Sequence, residues 1–106
     1  MEALPVTTHE AGNPLTLAER ANVAWAIAEL DAPGLDQDLF VSGYCQAARL
    51  DAEGLGGCGG GILGLETART GEERMNRMTW NLGAMGYWQG QVEAAIVGLE
   101  RRGETR

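Results

Sequence analysis

The segment from Thr70 to Gly103 constrains the fold more than any other. Thr70 and Glu73 form a capping box, in which the threonine oxygen accepts from the Glu73 amide and the glutamate reaches back. Met75, Met78, Leu82, Met85, Val92, Ile96 and Leu99 then step by three and four, the period of one helix face, with Gln89 interrupting the row. Arg101 and Arg102 occupy a last turn, and Gly103 stands where a left-handed C-cap is expected. A single helix from Gly71 to Arg102 would be about 48 Å long, whereas a domain of this size is only about 30 Å across. The pattern predicts one long C-terminal helix, which must either break at its glycines or project and find a partner.

A second pattern overlays the first. Gly86, Gly90, Ala94 and Gly98 recur every four residues, with Trp88 beside them. Each helical glycine costs roughly 1 kcal/mol against alanine. A row of small residues offsets that cost when another helix backbone approaches closely, a device best known from membranes and extended here to a soluble helix. The row predicts an oligomer contact, with a dimer favoured.

Upstream, Thr16 and Glu19 make another capping box, followed by Val23, Ile27 and Leu30 at helical spacing with Ala24 and Ala28 beside them. Ala32-Pro33-Gly34 ends that helix, because proline cannot continue the ladder. A second helix starts near the N-cap Asp36 and carries Phe40, Val41, Tyr44, Cys45 and Ala48 to about Leu50. The expectation is an all-α, small single-domain bundle over residues 16–106, preceded by a loose arm over 1–15 with room for a short strand at Leu4 to Thr8. At 44% hydrophobic, the chain can bury a core without metal or disulfide staples.

Seven glycines fall between Gly54 and Gly64. The run matches GxGxxG twice, but helix rather than strand precedes it, and no βαβ unit is visible. It predicts a glycine-rich surface loop leading into a short helix from about Ile62 to Arg69. Backbone amides of Gly56, Gly57, Gly59 and Gly60, with Arg69 nearby, would then be the place for a small anion, opposed by Asp51 and Glu53.

The formal charge is −7, and all eight basic residues are arginine. The absence of lysine excludes Schiff-base chemistry and a Walker-type phosphate lysine. Net negative charge disfavours nucleic acid and anionic membranes. His9, Cys45 and Cys58 lack metal-ligand spacing, and no nucleophile has an identifiable base, so no catalytic residue, metal or cofactor is expected. The N-terminus carries no basic or apolar signal segment, which points to a cytoplasmic chain. Residues 1–70 hold ten acids and three arginines, while 71–106 hold five of each. Asp36, Asp38, Asp51 and Glu53 are the candidate contacts of an acidic face for a basic protein partner. The expected function is non-enzymatic: an interaction protein that inhibits a partner with a nucleic-acid-binding type of surface, in the general character of small acidic proteins of phages and mobile elements. The alternatives are a binder of a small, nucleotide-like anion through loop 54–64 and an accessory subunit of a larger enzyme.

Overall fold

The computed structural model describes residues 14–55 and 61–104, all of whose regular structure is helical. Helix α1 spans Leu17–Asp31, α2 Gln37–Ala52, α3 Gly71–Trp88 and α4 Gly90–Glu104. No strand occurs among the described residues. Residues 1–13, which include the Leu4–Thr8 segment and His9, lie outside them, as do Gly56, Gly57, Cys58, Gly59 and Gly60.

The caps form as their chemistry demands. Glu19 donates its amide to Thr16 Oγ1 at 3.1 Å, and the Thr16 amide returns to Glu19 Oε1 at 2.7 Å. Asp36 caps α2 by accepting the Leu39 amide at 3.0 Å. At α3, the Glu73 amide donates to Thr70 Oγ1 at 3.0 Å, but the Glu73 carboxylate reaches one residue further back, to the Arg69 amide at 2.9 Å. Each satisfies amides that a helix start leaves unpaired, worth about 1 kcal/mol.

The single long C-terminal helix does not form. It breaks at Gln89, whose φ of −83° and ψ of 130° are extended. Gln89 donates its amide to the Gly86 carbonyl and accepts the Glu93 amide with its own carbonyl, so it closes α3 and opens α4. The bend brings Val92 and Ile96, each 2% exposed, against Leu15, Ala21 and Ala24 of the core. An unbroken helix would have carried those two side chains into water. Helix α4 also runs through Gly103 to Glu104 rather than ending there, and among the described residues the positive-φ glycines are Gly34, Gly54 and Gly61.

The other corrections share one cause, which is that small residues select the buried faces. On α3 the buried residues are Thr79, Gly83, Ala84 and Gly86, while Met75, Met78, Leu82 and Met85 are exposed. On α1, Ala21 and Ala24 are buried and Leu30 is 82% exposed. A Cβ on Gly43 would strike the Trp80 carbonyl, and one on Gly83 would strike the Phe40 carbonyl, so α2 and α3 cross backbone to backbone. Such an approach buries dispersion contacts along both helices, which larger side chains would prevent. Leu15, expected in the arm, is 7% exposed and donates its amide to Glu100 Oε2 at 2.9 Å, tying α1 to α4.

The short helix over 62–69 is absent. Those residues make turns held to α3 by polar contacts. The Leu63 amide and carbonyl both bond the Asn81 side chain, and Arg77 donates to the Gly64 carbonyl. Trp80 Nε1 holds the Gly61 carbonyl at 2.9 Å. The whole measures 50 × 31 × 19 Å. A slab 19 Å thick is barely two helices deep, and among the described residues Met75, Met78, Leu82 and Met85 of α3 stay exposed.

Candidate functional site

Helix α1 ends in a short turn that reverses the chain into α2, and this turn sits beside the C-terminal half of α3. The three elements leave a cleft of about 170 Å³. Its lining includes Ile27 of α1, Leu35 of the turn, Phe40 of α2 and Leu82 of α3, with the polar Asp31, Gln89 and Gln91, the last from α4. Phe40 is buried beneath it and sets a rigid apolar floor. The volume falls below the 300–1,000 Å³ usual for small-molecule sites, and suits a side chain or two from a macromolecule.

The turn is held by specific bonds. Trp25 Nε1 donates to the Leu35 carbonyl at 3.3 Å, and Glu29 Oε2 accepts the Gly34 amide at 3.1 Å. Gly34 has a φ of +92°, a left-handed conformation that glycine adopts without strain. Gln37 Nε2 donates to Asn22 Oδ1 at 2.7 Å and fastens the start of α2 to α1.

Electrostatics distinguish this end. Glu29, Asp31, Asp36 and Asp38 lie in or beside the turn, and no arginine occurs from residue 21 to residue 48. Asp36 and Asp38 therefore belong to the cleft's surroundings. Asp51 and Glu53 do not, because they sit at the other end of α2, about 22 Å along its axis from Asp36. The four acids read from the sequence as one face are two separate pairs. Asp51 has a structural partner, since Tyr87 donates its hydroxyl to it at 2.6 Å. That bond, with burial and the adjacent charge, pushes the Tyr87 phenol up to about 12. Burial also raises Tyr44, against the opposing charge of Arg20.

The glycine row does not survive as one surface. Gly86 lies in α3, where an added Cβ would be 3.4 Å from the Phe40 ring and 3.5 Å from Ala24. Gly90 and Gly98 lie in α4, with nothing within 4 Å of where a Cβ would stand, and Ala94 is exposed. The bend at Gln89 turns one row into two. Trp88 is half-buried and packs edge-on against Tyr87 at 4.9 Å between ring centres. The close glycine contact is instead Gly43 with Gly83, a spacing that crosses between helices and leaves no periodic trace in either.

The candidate anion site loses its helix. Gly56, Gly57, Gly59 and Gly60 lie outside the described residues, Arg69 lies in an exposed turn, and no helix start follows the loop to align amides. Arg77 is committed to Glu73 at 2.7 Å and to Thr67. Among the described residues no cluster of histidine, cysteine, aspartate or glutamate could hold a metal. Burial pushes the Cys45 thiol up, away from a reactive thiolate, with Arg49 opposing. No helix among the described residues is long and apolar enough to cross a membrane. Neither a protein-family model, nor a curated protein, nor a solved structure matches this chain.

Proposed function

We propose that this chain is a non-enzymatic interaction module, whose cleft between α1, the α1–α2 turn and α3 takes a basic, apolar-anchored segment of a protein partner. The carrying observation is that a cleft floored by Phe40, with both apolar and polar lining, is built largely from the stretch 21–48, which holds four carboxylates and no arginine. Such a site attracts a cationic helix by long-range steering and holds it by one or two buried side chains. A partner with a surface built to meet nucleic acid has that charge, and occupation of its basic residues here would block its other use.

The test uses synthetic amphipathic helical peptides of equal hydrophobicity, one rich in arginine and lysine and one rich in glutamate. Trp25 is a built-in reporter, because its indole bonds the Leu35 carbonyl at the cleft. The basic peptide should change Trp25 fluorescence saturably, with affinity that falls as salt rises over the range where the Debye length drops below about 10 Å. Equal response to both peptides, or none to either, overturns the reading.

A further inference from the structure

We infer that Asp31 makes the cleft selective for an arginine side chain, so that the anchor of the bound segment is an arginine whose methylene stem lies on the apolar walls. The inference rests on the cleft reading given above and deepens it by naming the residue that enters.

Three polar side chains line the cleft: Asp31, Gln89 and Gln91. Among the described residues, none of the three side chains has a hydrogen-bond or ion-pair partner. The rest of the lining sets the shape. Ala24, Ala28 and Gly86 are small and make the room, while Ile27, Leu35 and Leu82 form apolar walls over the Phe40 floor. A cavity of about 170 Å³ so lined has space for one long side chain. A docked apolar side chain would strip water from Asp31 and both carboxamides and return no hydrogen bond. An amphipathic one lays its stem on the walls and presents its charged head to the polar groups.

The local field draws that head to the α1 side. Helix α1 ends at Asp31 with no basic residue in its last turn, whereas α2 ends with Arg49 and α4 with Arg101 and Arg102. The partial negative charge of the α1 terminus therefore adds to the Asp31 carboxylate. Across the cleft, α3 ends and α4 begins at the Gln89 bend, so their opposite helix ends offset each other there. A cation that enters is held at Asp31.

A guanidinium suits this position better than an ammonium. It presents five N–H donors in a planar fork, so two can meet the carboxylate side by side while others remain for a carboxamide oxygen. It is also the more weakly hydrated cation, and loses less on entering a cleft with apolar walls. A lysine ammonium would meet Asp31 as a point charge without the fork geometry.

Isothermal titration calorimetry on the full chain tests this with four basic helical peptides that differ only at a central anchor: arginine, lysine, citrulline or leucine. The arginine peptide should bind most tightly. Lysine should be weaker by roughly fivefold, and citrulline, which keeps the shape without the charge, by roughly tenfold or more. Asp31→Asn keeps the size of the side chain and removes its charge. It also relieves an acid at a helix C-terminus, so the variant should be at least as stable as the parent. It should bring the arginine and lysine affinities within about twofold of each other. Asp38→Asn removes the same charge outside the cleft lining and should weaken both peptides alike, leaving their ratio unchanged. If leucine anchors as well as arginine, the cleft reading stands and the arginine anchor is overturned. An arginine preference untouched by Asp31→Asn overturns it too. Binding by none of the basic peptides overturns both readings.

Discussion

Gly43 and Gly83 meet at the crossing of α2 and α3, each facing a carbonyl of the other helix that lies three residues before the other glycine: Trp80 for Gly43 and Phe40 for Gly83. The hydrogen that each carries in place of a side chain points at that carbonyl, the geometry of a Cα–H···O contact. Gly43→Ala and Gly83→Ala should each destabilise by about 1–3 kcal/mol or more, because the intruding methyl meets backbone that cannot rotate aside. Gly98→Ala should do the reverse and stabilise by about 1 kcal/mol, since the space there is open and alanine is the better helix former. Chemical denaturation midpoints at constant slope measure both signs. A stabilised Gly83→Ala would mean the helices do not cross this closely.

The capping boxes were legible because a cap is local: three or four residues decide it. Thr16–Glu19 forms the full box and Asp36 and Thr70 cap their helices, while Glu73 differs only in reaching one residue further back, to Arg69. The buried faces were not legible, because hydrophobicity is a poor guide when backbone approach decides the packing. Met75, Met78, Leu82 and Met85 look like a core stripe, yet the helix buries Thr79, Gly83, Ala84 and Gly86. The signal that points to the correct face is glycine on two helices at once, and no single-helix periodicity contains it. The cleft was half legible. Asp36 and Asp38 were singled out by charge, but Ile27, Leu35, Phe40 and Leu82 converge only after the turn at Gly34 and the crossing of α2 over α3.

Tyr87 makes stability depend on alkaline pH. Its folded-state pKa of about 12 lies above the ordinary 10.0, so the folded protein favours the protonated phenol. The stabilisation is fully present below pH 10 and is lost as pH rises from 10 to about 12. Tyr44 is also raised, so neither tyrosine should ionise at its ordinary pH while the protein is folded. Tyrosinate absorbance followed against pH checks this. Tyr87→Phe should leave one raised transition, flatten the loss of stability above pH 10, and cost about 0.5–1.5 kcal/mol at neutral pH. An absorbance step for two residues near pH 10 in the folded protein would contradict the Tyr87–Asp51 bond.

The two acidic pairs on α2 should behave differently. Asp36→Lys with Asp38→Lys places positive charge beside the cleft and should slow association of the basic peptide severalfold, with most of the effect gone at high salt. Asp51→Lys with Glu53→Lys changes net charge equally, but at the other end of α2. It should alter association little; both double variants lower stability, the first by removing the α2 N-cap and the second by removing the Tyr87 acceptor, so the association rate is the readout that separates them. Stopped-flow association rates separate the pairs. Equal slowing by both would show that net charge alone steers the peptide, without a cleft.

Leu30 and Ile96 occupy equivalent places in their helical repeats, and periodicity treats both as core. The structure separates them. Ile96 is 2% exposed and packs in the cluster with Leu15, Ala21, Ala24 and Val92, whereas Leu30 is 82% exposed. The difference comes from the bend at Gln89, which folds α4 back onto α1 along its N-terminal half, where the Leu15 amide meets Glu100 and Arg20 approaches Glu93 at 3.8 Å. Leu30 lies one residue from the other end of α1, beyond the reach of that contact. Ile96→Ala should therefore cost about 2–5 kcal/mol through lost burial and the cavity left behind. Leu30→Ala should fall within about 0.5 kcal/mol of the parent. Were α4 instead a straight continuation of α3, Ile96 would be solvated and both substitutions would be nearly neutral. Thermal or denaturant unfolding of the two variants side by side distinguishes a folded-back α4 from a projecting one.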